Sequence, residues 1–376
     1  MKKVFHATSR FIYKNLAKPL FFRRDPEDVH DSMTHLGEFL GRFSVTRFFT
    51  RLAFHIEDPS LVQNIRGLEF KNPVGLAAGF DKDAHLLNIL PDVGFGFMEA
   101  GSVTGKTCAG NPKPRLWRLK DQQSLVVWYG LKNEGAANVA VRLHAVSHRF
   151  PVGVSIAKTN CAETAEDEAA IADYGAALEA VKDTADYITI NISCPNAFGG
   201  QPFNDAPRLE KLLTALENVS LRPTAYGPRP IFIKLSPDLT FEQLDSLIDV
   251  AARHRIQGLI SSNLTKTYEA VPEALRPTHG GLSGKLVEEK ANAQLSHLYK
   301  KYGSRFTLVG CGGIFSAEDA YLKIRAGASL LQLITGMIFE GPQLVGEINA
   351  GLIELLKRDG FKNISEAIGA DNKLKP

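Results

Sequence analysis

The sequence predicts a (β/α)8 TIM barrel with an N-terminal amphipathic helical extension, and three observations carry that prediction. Apolar segments of strand length recur along residues 74–334, helix-like segments separate most of them, and the polar residues able to do chemistry cluster at the C-terminal ends of the strands. In a barrel those ends meet at one mouth, where catalytic groups sit. A chain of 376 residues, 44% of them apolar, is long enough for such a barrel and an extension.

The extension comes first. The opening 24 residues carry Lys2, Lys3, Arg10, Lys14, Lys18, Arg23 and Arg24, with no acidic residue before Asp25. Phe5, Thr8, Ile12, Leu16 and Leu20 recur at helical spacing, with the basic residues mostly between them. From Pro26 a second helical pattern runs through Val29, Met33, Leu36, Leu40 and Phe43, and a third sets Val45, Phe48, Phe49 and Leu52 on one side. No stretch reaches the roughly 18 uncharged apolar residues needed to span a bilayer. Lys14 and Lys18 interrupt the only candidate, which also defeats a signal-peptide core. Short helices with apolar faces and basic surroundings suit a membrane interface. A helical subdomain packed on the barrel, or an acid-poor mitochondrial transit peptide, is the alternative. The expected division is 1–55 for the membrane-associating extension and 56–376 for the barrel.

A short hairpin is expected near Val62 to Lys71, and the alternation follows. The strand candidates are Val74 to Ala78, Phe97 to Gly101, Val152 to Ala157, Tyr187 to Ser193, Ile231 to Leu235, Gly258 to Ser262, Thr307 to Gly310 and Ser329 to Ile334. Helix-like segments between them include Ala165 to Ala180, Pro207 to Glu217, Phe241 to Arg253 and Ala317 to Ala326. A doubly wound open sheet is the rival architecture, weakened because no Gly-x-Gly-x-x-Gly fingerprint follows the first strand. The net charge of +3 is too small to indicate nucleic acid. Cys108, Cys161, Cys194 and Cys311 lie far apart, without zinc or disulfide spacing, so a reduced intracellular protein with no metal is expected.

Residues 191–196, Asn-Ile-Ser-Cys-Pro-Asn, narrow the function most. They bring two amides and a thiol to the end of a buried strand, where amides can hold a planar polar ring and Cys194 can remove a proton from it. A tight turn with Cys194 as a small buried hydrophobe is the plain alternative. Gly310-Cys311-Gly312-Gly313 and Thr335-Gly336 follow strands seven and eight, where glycines without Cβ let backbone N–H groups approach a phosphate. Such a site does not choose between a flavin nucleotide and a sugar phosphate. Lys234 lies inside an apolar strand, where an ammonium needs an anionic or electron-rich partner. Lys82 leaves the first strand and is either a ligand contact or a solvated loop lysine. A thiol needs a cationic neighbour to ionise near neutrality, and no histidine shares the motif. His85 and His279 lie in strand-exit loops and receive no role.

These segments together resemble the dihydroorotate dehydrogenase family of FMN-containing barrels. The likeness rests on Gly75-Leu-Ala-Ala-Gly-Phe-Asp-Lys-Asp83, Glu99-Ala-Gly-Ser-Val-Thr104, Pro114-Arg-Leu-Trp-Arg-Leu119 and residues 191–196. It continues through Gly280-Gly-Leu-Ser-Gly284, Gly310-Cys-Gly-Gly-Ile314, Ala326-Gly-Ala-Ser-Leu330 and Ile338-Phe-Glu-Gly-Pro342. The extension, with Asp25-Pro26-Glu27 and His30, resembles the membrane-associated, quinone-reducing class 2 branch. The resemblance implies that FMN is held by Ala78, Gly79, Lys82, Ser102, Asn191, Lys234, Ser262, Gly284, Gly313, Ile334 and Thr335. It implies that dihydroorotate meets Lys82, Asn191, Asn196 and Asn263, and that Cys194 is the base taking a proton from C5 while hydride leaves C6 for the flavin. It further implies a membrane quinone as acceptor and a peripheral place on the cytoplasmic face of the inner or plasma membrane, or on the mitochondrial inner membrane.

The chain departs from that pattern at five positions. Class 2 enzymes normally place serine where Cys194 stands; cysteine is typical of class 1. Val127 replaces an asparagine that opens the substrate loop, Ala197 and Leu264 replace threonines, and Ser155 replaces a flavin-contacting asparagine. Lost polar contacts on the substrate side imply a compensating pose or a different cyclic or enone substrate. A barrel that lost turnover is the remaining alternative.

Overall fold

The computed structural model describes residues 2–220 and 227–372. Eight parallel strands close into a barrel in the order β3 (Val74–Leu76), β4 (Phe97–Val103), β7 (Val152–Ile156), β8 (Tyr187–Asn191), β9 (Ile231–Lys234), β10 (Ile256–Ser261), β12 (Thr307–Cys311) and β13 (Leu330–Leu333). β13 returns to β3, with Leu331 opposite Val74 and Gln332 opposite Gly75. The hairpin before it pairs β1 (Gln63–Ile65) with β2 (Leu68–Phe70), antiparallel.

Burial on both faces explains why these strands read as continuous apolar runs. The aromatic rings of Phe70, Phe97, Tyr187 and Phe232 fill the barrel with Ile260, Val309 and Leu330. Room for them comes from glycine: a Cβ on Gly153 would lie 2.1 Å from the Tyr187 ring. Outside, α7 (Asp167–Val181) buries Ala170, Tyr174, Ala177, Leu178 and Val181 at helical spacing. α9 (Phe241–Arg253) starts from a reciprocal Thr240–Gln243 capping box. α7 begins after its expected start because Glu163–Ala165 forms a separate 3-10 turn.

Across the mouth lies a second sheet, in which β6 (Ser124–Val127) pairs antiparallel with both β5 (Leu116–Leu119) and β11 (Gly281–Gly284). No strand was expected in these segments. β11 is half glycine, and its partner lies far back in the chain, so local patterning does not reveal the pairing.

The extension consists of α1 (Lys2–Ile12), a π-helical turn over Tyr13–Ala17, α2 (Lys18–Phe21), α3 (Pro26–Arg42) and α4 (Ser44–Phe54). Asp25 caps α3, accepting from the N–H groups of Glu27 (2.8 Å) and Asp28 (3.2 Å). The extension is fastened to the barrel by Tyr13 Oη donating to Ile338 O (2.7 Å) and by ion pairs Lys14–Glu340 (2.6 Å) and Arg10–Glu347 (2.5 Å). Its other side leaves Leu36, Phe39, Phe43, Val45, Phe48, Phe49 and Leu52 exposed. Among the described residues no helix is long and apolar enough to cross a membrane.

Candidate active site

The strand ends and the second sheet enclose a cavity of about 200 Å³. Cys194 and every residue that the resemblance assigns to FMN or substrate line it. The β3 exit contributes Ala78, Gly79 and Lys82; β4 contributes Ser102; β8 and its loop contribute Asn191, Cys194 and Asn196. Lys234 ends β9, Ser262 and Asn263 follow β10, and Gly284 ends β11. Gly313 follows β12, and Ile334 and Thr335 follow β13.

Asn191 and Asn263 belong to one hydrogen-bonded network, and Asn196 stands apart from it. Asn191 Nδ2 donates to Ser102 Oγ (2.8 Å), which pairs with Ser155 Oγ (2.7 Å). Asn263 Nδ2 donates to Asn191 Oδ1 (3.2 Å) and Ser193 Oγ (2.9 Å). Asn196 Nδ2 donates to Val127 O (2.8 Å), while its buried Oδ1 has no hydrogen-bond partner. A buried unpaired acceptor is costly unless a ligand donates to it, so Asn196 offers a place for a ligand N–H. Ser155 is fully buried behind Ser102 and acts on the cavity through that hydroxyl. Val127 and Leu264 line the cavity, and Ala197 does not.

The phosphate-type loops can be tested against an anionic ligand. Gly284, Gly312 and Gly313 have φ of +88°, +102° and +74°, and a Cβ on Gly284 would lie 2.4 Å from Gln123 O. A Cβ on Gly313 would lie 2.4 Å from Glu288 Cβ. Only glycine makes this close-walled cradle. Beside it Lys234 is 4% exposed, and no ion pair to it is present among the described residues. A buried ammonium without a carboxylate and a glycine cradle both fit a phosphorylated, electron-rich ring.

Cys194 faces the cavity, and among the described residues no hydrogen bond joins it to a cation. Burial pushes its thiol up, more than the backbone of Asn196 and the distant charges of Lys266 and Lys158 pull it down. Of these two, Lys158 is engaged elsewhere, donating to Thr164 O (2.8 Å) and Phe198 O (2.6 Å).

The cover of the cavity was only partly legible. Tyr129 lies over it, with Lys82 Nζ 4.1 Å from the ring centroid on one side and the Arg115 guanidinium 5.2 Å away. His30 of α3 reaches the cavity, its Nε2 3.5 Å from Lys82 Nζ and its ring edge-on to Phe80 at 4.9 Å. Burial, then the charges of Lys82 and Lys132, hold His30 well below the usual histidine range, so it is neutral near pH 7. Burial and Lys132 lower the Lys82 ammonium to about 8. The one available signal for this cover was the Asp25-Pro26-Glu27 helix start; nothing local marks Arg115 as its partner. His279 stacks on Trp128 with ring centroids 4.6 Å apart. His85 stands outside the cavity between Glu38 (3.5 Å) and Glu134 (3.9 Å).

The family model for dihydroorotate dehydrogenase matches residues 60–356. The chain is 37% identical over 343 residues to the dihydroorotate dehydrogenase (quinone) of Christiangramia forsetii, covering 91% of this chain and 99% of that one. It is 38% identical over 360 residues to the protein of the same name from Nautilia profundicola, covering 95% and 96%. Among solved structures, ligand-free DHODH from Eimeria tenella superposes with a TM-score of 0.82 at 33% identity, covering 93% of this chain and 100% of that one. The ferulenol complex of the Eimeria tenella protein gives 0.81 at 32% identity, covering 93% and 96%.

Proposed function

The chain belongs to the dihydroorotate dehydrogenase family and is a flavin-dependent oxidoreductase of the quinone-using type; we propose that its flavin is FMN and that Cys194 is the base. It oxidises dihydroorotate to orotate with a quinone as electron acceptor, in pyrimidine biosynthesis. The observation that carries the reading is a single cavity uniting the glycine cradle, the unpaired Lys234 and the amide network with Cys194.

Ala78, Gly79, Ser102, Lys234, Ser262, Gly284, Gly313, Ile334 and Thr335 would hold the FMN, with Lys82 and Asn191 at the boundary with substrate. Bound there, FMN supplies a two-electron acceptor for C6 of the substrate and a two-electron donor for the quinone. Asn191, Asn196 and Asn263 orient the ring, and the unpaired Oδ1 of Asn196 accepts from a ring N–H. Lys82 faces the carboxylate. The Cys194 thiolate takes the C5 proton onto Sγ, and the Tyr129–Leu131 turn keeps water away.

Residues 1–55 would form the membrane-associating unit and 56–376 the FMN barrel. The exposed Phe39, Phe43, Phe48 and Phe49 support peripheral docking beside basic residues, on the cytoplasmic face of the inner or plasma membrane, or on the mitochondrial inner membrane. A different cyclic or enone substrate is the second reading, favoured by Val127, Leu131 and Leu264 lining the cavity where polar groups would suit dihydroorotate. The test is anaerobic: dihydroorotate should bleach the yellow flavin, and a quinone should restore the colour. Colourless purified protein would defeat the FMN assignment. Yellow protein that dihydroorotate leaves unreduced would favour the second reading, and an inactive barrel if no cyclic enone reacts.

A further inference from the structure

Gly130 and Leu131 both adopt left-handed backbone, with φ of +65° and +60°. A residue with a side chain rarely sits there, and such conformations are held where the surroundings demand them. Here the double turn brings the following residue, Lys132, back to the cavity wall. We propose that Lys132 is a specificity-determining residue, a second ammonium that meets the substrate's carboxylate across the mouth from Lys82. The proposal rests on the reading that the substrate is a ring bearing a carboxylate.

The charge arrangement supports it. The only ion-pair partner of Lys132 among the described residues is Glu27 Oε1, at 3.5 Å, and that oxygen already takes Arg115 Nη2 at 2.8 Å. Lys113 lies 3.5 Å from the same oxygen. One carboxylate therefore faces three cations. Lys82 has no carboxylate within ion-pair distance among the described residues. Its close neighbours are the Tyr129 ring and the neutral His30, and Asp31 and Asp83 act on it only at longer range. Two ammoniums on one partly enclosed mouth repel each other more than in open water. An entering carboxylate relieves that repulsion and a neutral ring does not, so the surplus charge selects for the anion.

Lys113 provides a control within the same fold, because it meets Glu27 at the same distance as Lys132 but does not line the cavity. Orotate and its uncharged carboxamide are titrated into the flavin-loaded protein by calorimetry and by the flavin difference spectrum. Lys132→Met should weaken orotate by about tenfold, as loss of a charge-assisted contact does, and leave the carboxamide unchanged. Lys113→Met should leave both unchanged, and Lys132→Arg should keep orotate within about twofold. Unchanged orotate affinity in Lys132→Met overturns the proposal. So does an equal loss in Lys113→Met, which would trace the effect to the Glu27 ion pairs. If Lys132→Met does not fold, Lys132→Gln carries the same comparison. Wild-type protein that binds no orotate overturns the substrate reading itself and the proposal with it.

Discussion

The carboxylate of Glu27, at the start of α3, receives both prongs of the Arg115 guanidinium, Nε to Oε2 at 3.0 Å and Nη2 to Oε1 at 2.8 Å. Both residues are buried, 2% and 5% exposed. Arg115 also donates to Ala109 O (2.9 Å) and Asn111 O (2.8 Å). The extension is thus tied to the loop preceding β5, on the cover of the cavity.

Breaking one side of a buried, bidentate pair leaves the other charge uncompensated, at a cost of about 3–5 kcal/mol. Glu27→Ala should lower the melting temperature at neutral pH accordingly. Burial alone would raise the Glu27 carboxyl, but Arg115, Lys113 and Lys132 outweigh it and bring it down to about 2. A carboxyl depressed below its unfolded value of about 4.3 stabilises fully above that pH and loses the contribution as pH falls towards the folded value. The melting-temperature gap between wild type and Glu27→Ala should therefore be full at pH 6 and shrink below about pH 4. A gap independent of pH would show that the carboxylate charge is not what stabilises.

Lys234 has the opposite balance, being buried with no acidic ion-pair partner among the described residues. Lys234→Met keeps its length and removes a desolvated ammonium, so the flavin-free protein should melt no lower than wild type. Flavin retention should fall by roughly 10–100-fold, the range for a lost hydrogen bond from a charged group. Equal flavin content after gel filtration would remove Lys234 from the cofactor site.

For Cys194 the structure gives a sign. Burial raises the thiol, so the ionised base becomes available only above the ordinary thiol range near about 8.5. Single-turnover flavin reduction should climb with pH well into the alkaline region. Cys194→Ala should slow it by ~10²–10⁴-fold with flavin still bound, and Cys194→Ser should keep activity with a profile displaced further to alkaline pH. Near-wild-type rates in the alanine variant would make the thiol a bystander.

Membrane docking is best tested without truncation, because deleting the extension would also orphan Arg115. Phe39, Phe43, Phe48 and Phe49 are each at least half exposed, and each ring moved from water into lipid contributes about 1 kcal/mol or more. Changing all four to serine should release the protein from sedimenting vesicles and reduce turnover with long-chain quinones far more than with a small soluble dye. Equal loss with both acceptors would point to misfolding.

The barrel was legible because each strand is a continuous apolar run, and α9 and α11 (Ala317–Ala326) fall at their expected bounds. The floor of the site was legible for the same reason: residues at strand ends must converge. The cover was not. β11 finds its partner only in three dimensions, the pairing of Glu27 with Arg115 has no periodic trace, and the turn that aims Lys132 depends on Leu131 adopting a conformation its own side chain disfavours. Long-range polar contacts between non-adjacent segments leave no local pattern.

The carbonyl of Val127 accepts from Asn196 Nδ2 at 2.8 Å, and Val127 also lines the cavity. Val127→Asn adds an amide there without disturbing that backbone bond. Dihydroorotate is rich in carbonyls and N–H groups, so an added amide that pairs should improve its binding by roughly 1–3 kcal/mol. If the apolar wall of Val127, Leu131 and Leu264 instead serves another substrate, the same change buries an unpaired amide, leaves dihydroorotate inactive and damages the reaction with that substrate. The comparison is kcat/KM for dihydroorotate in wild type and Val127→Asn. Efficient wild-type turnover that the substitution harms would show that the apolar wall is already matched to dihydroorotate, with Asn196, Lys82 and Lys132 carrying its recognition.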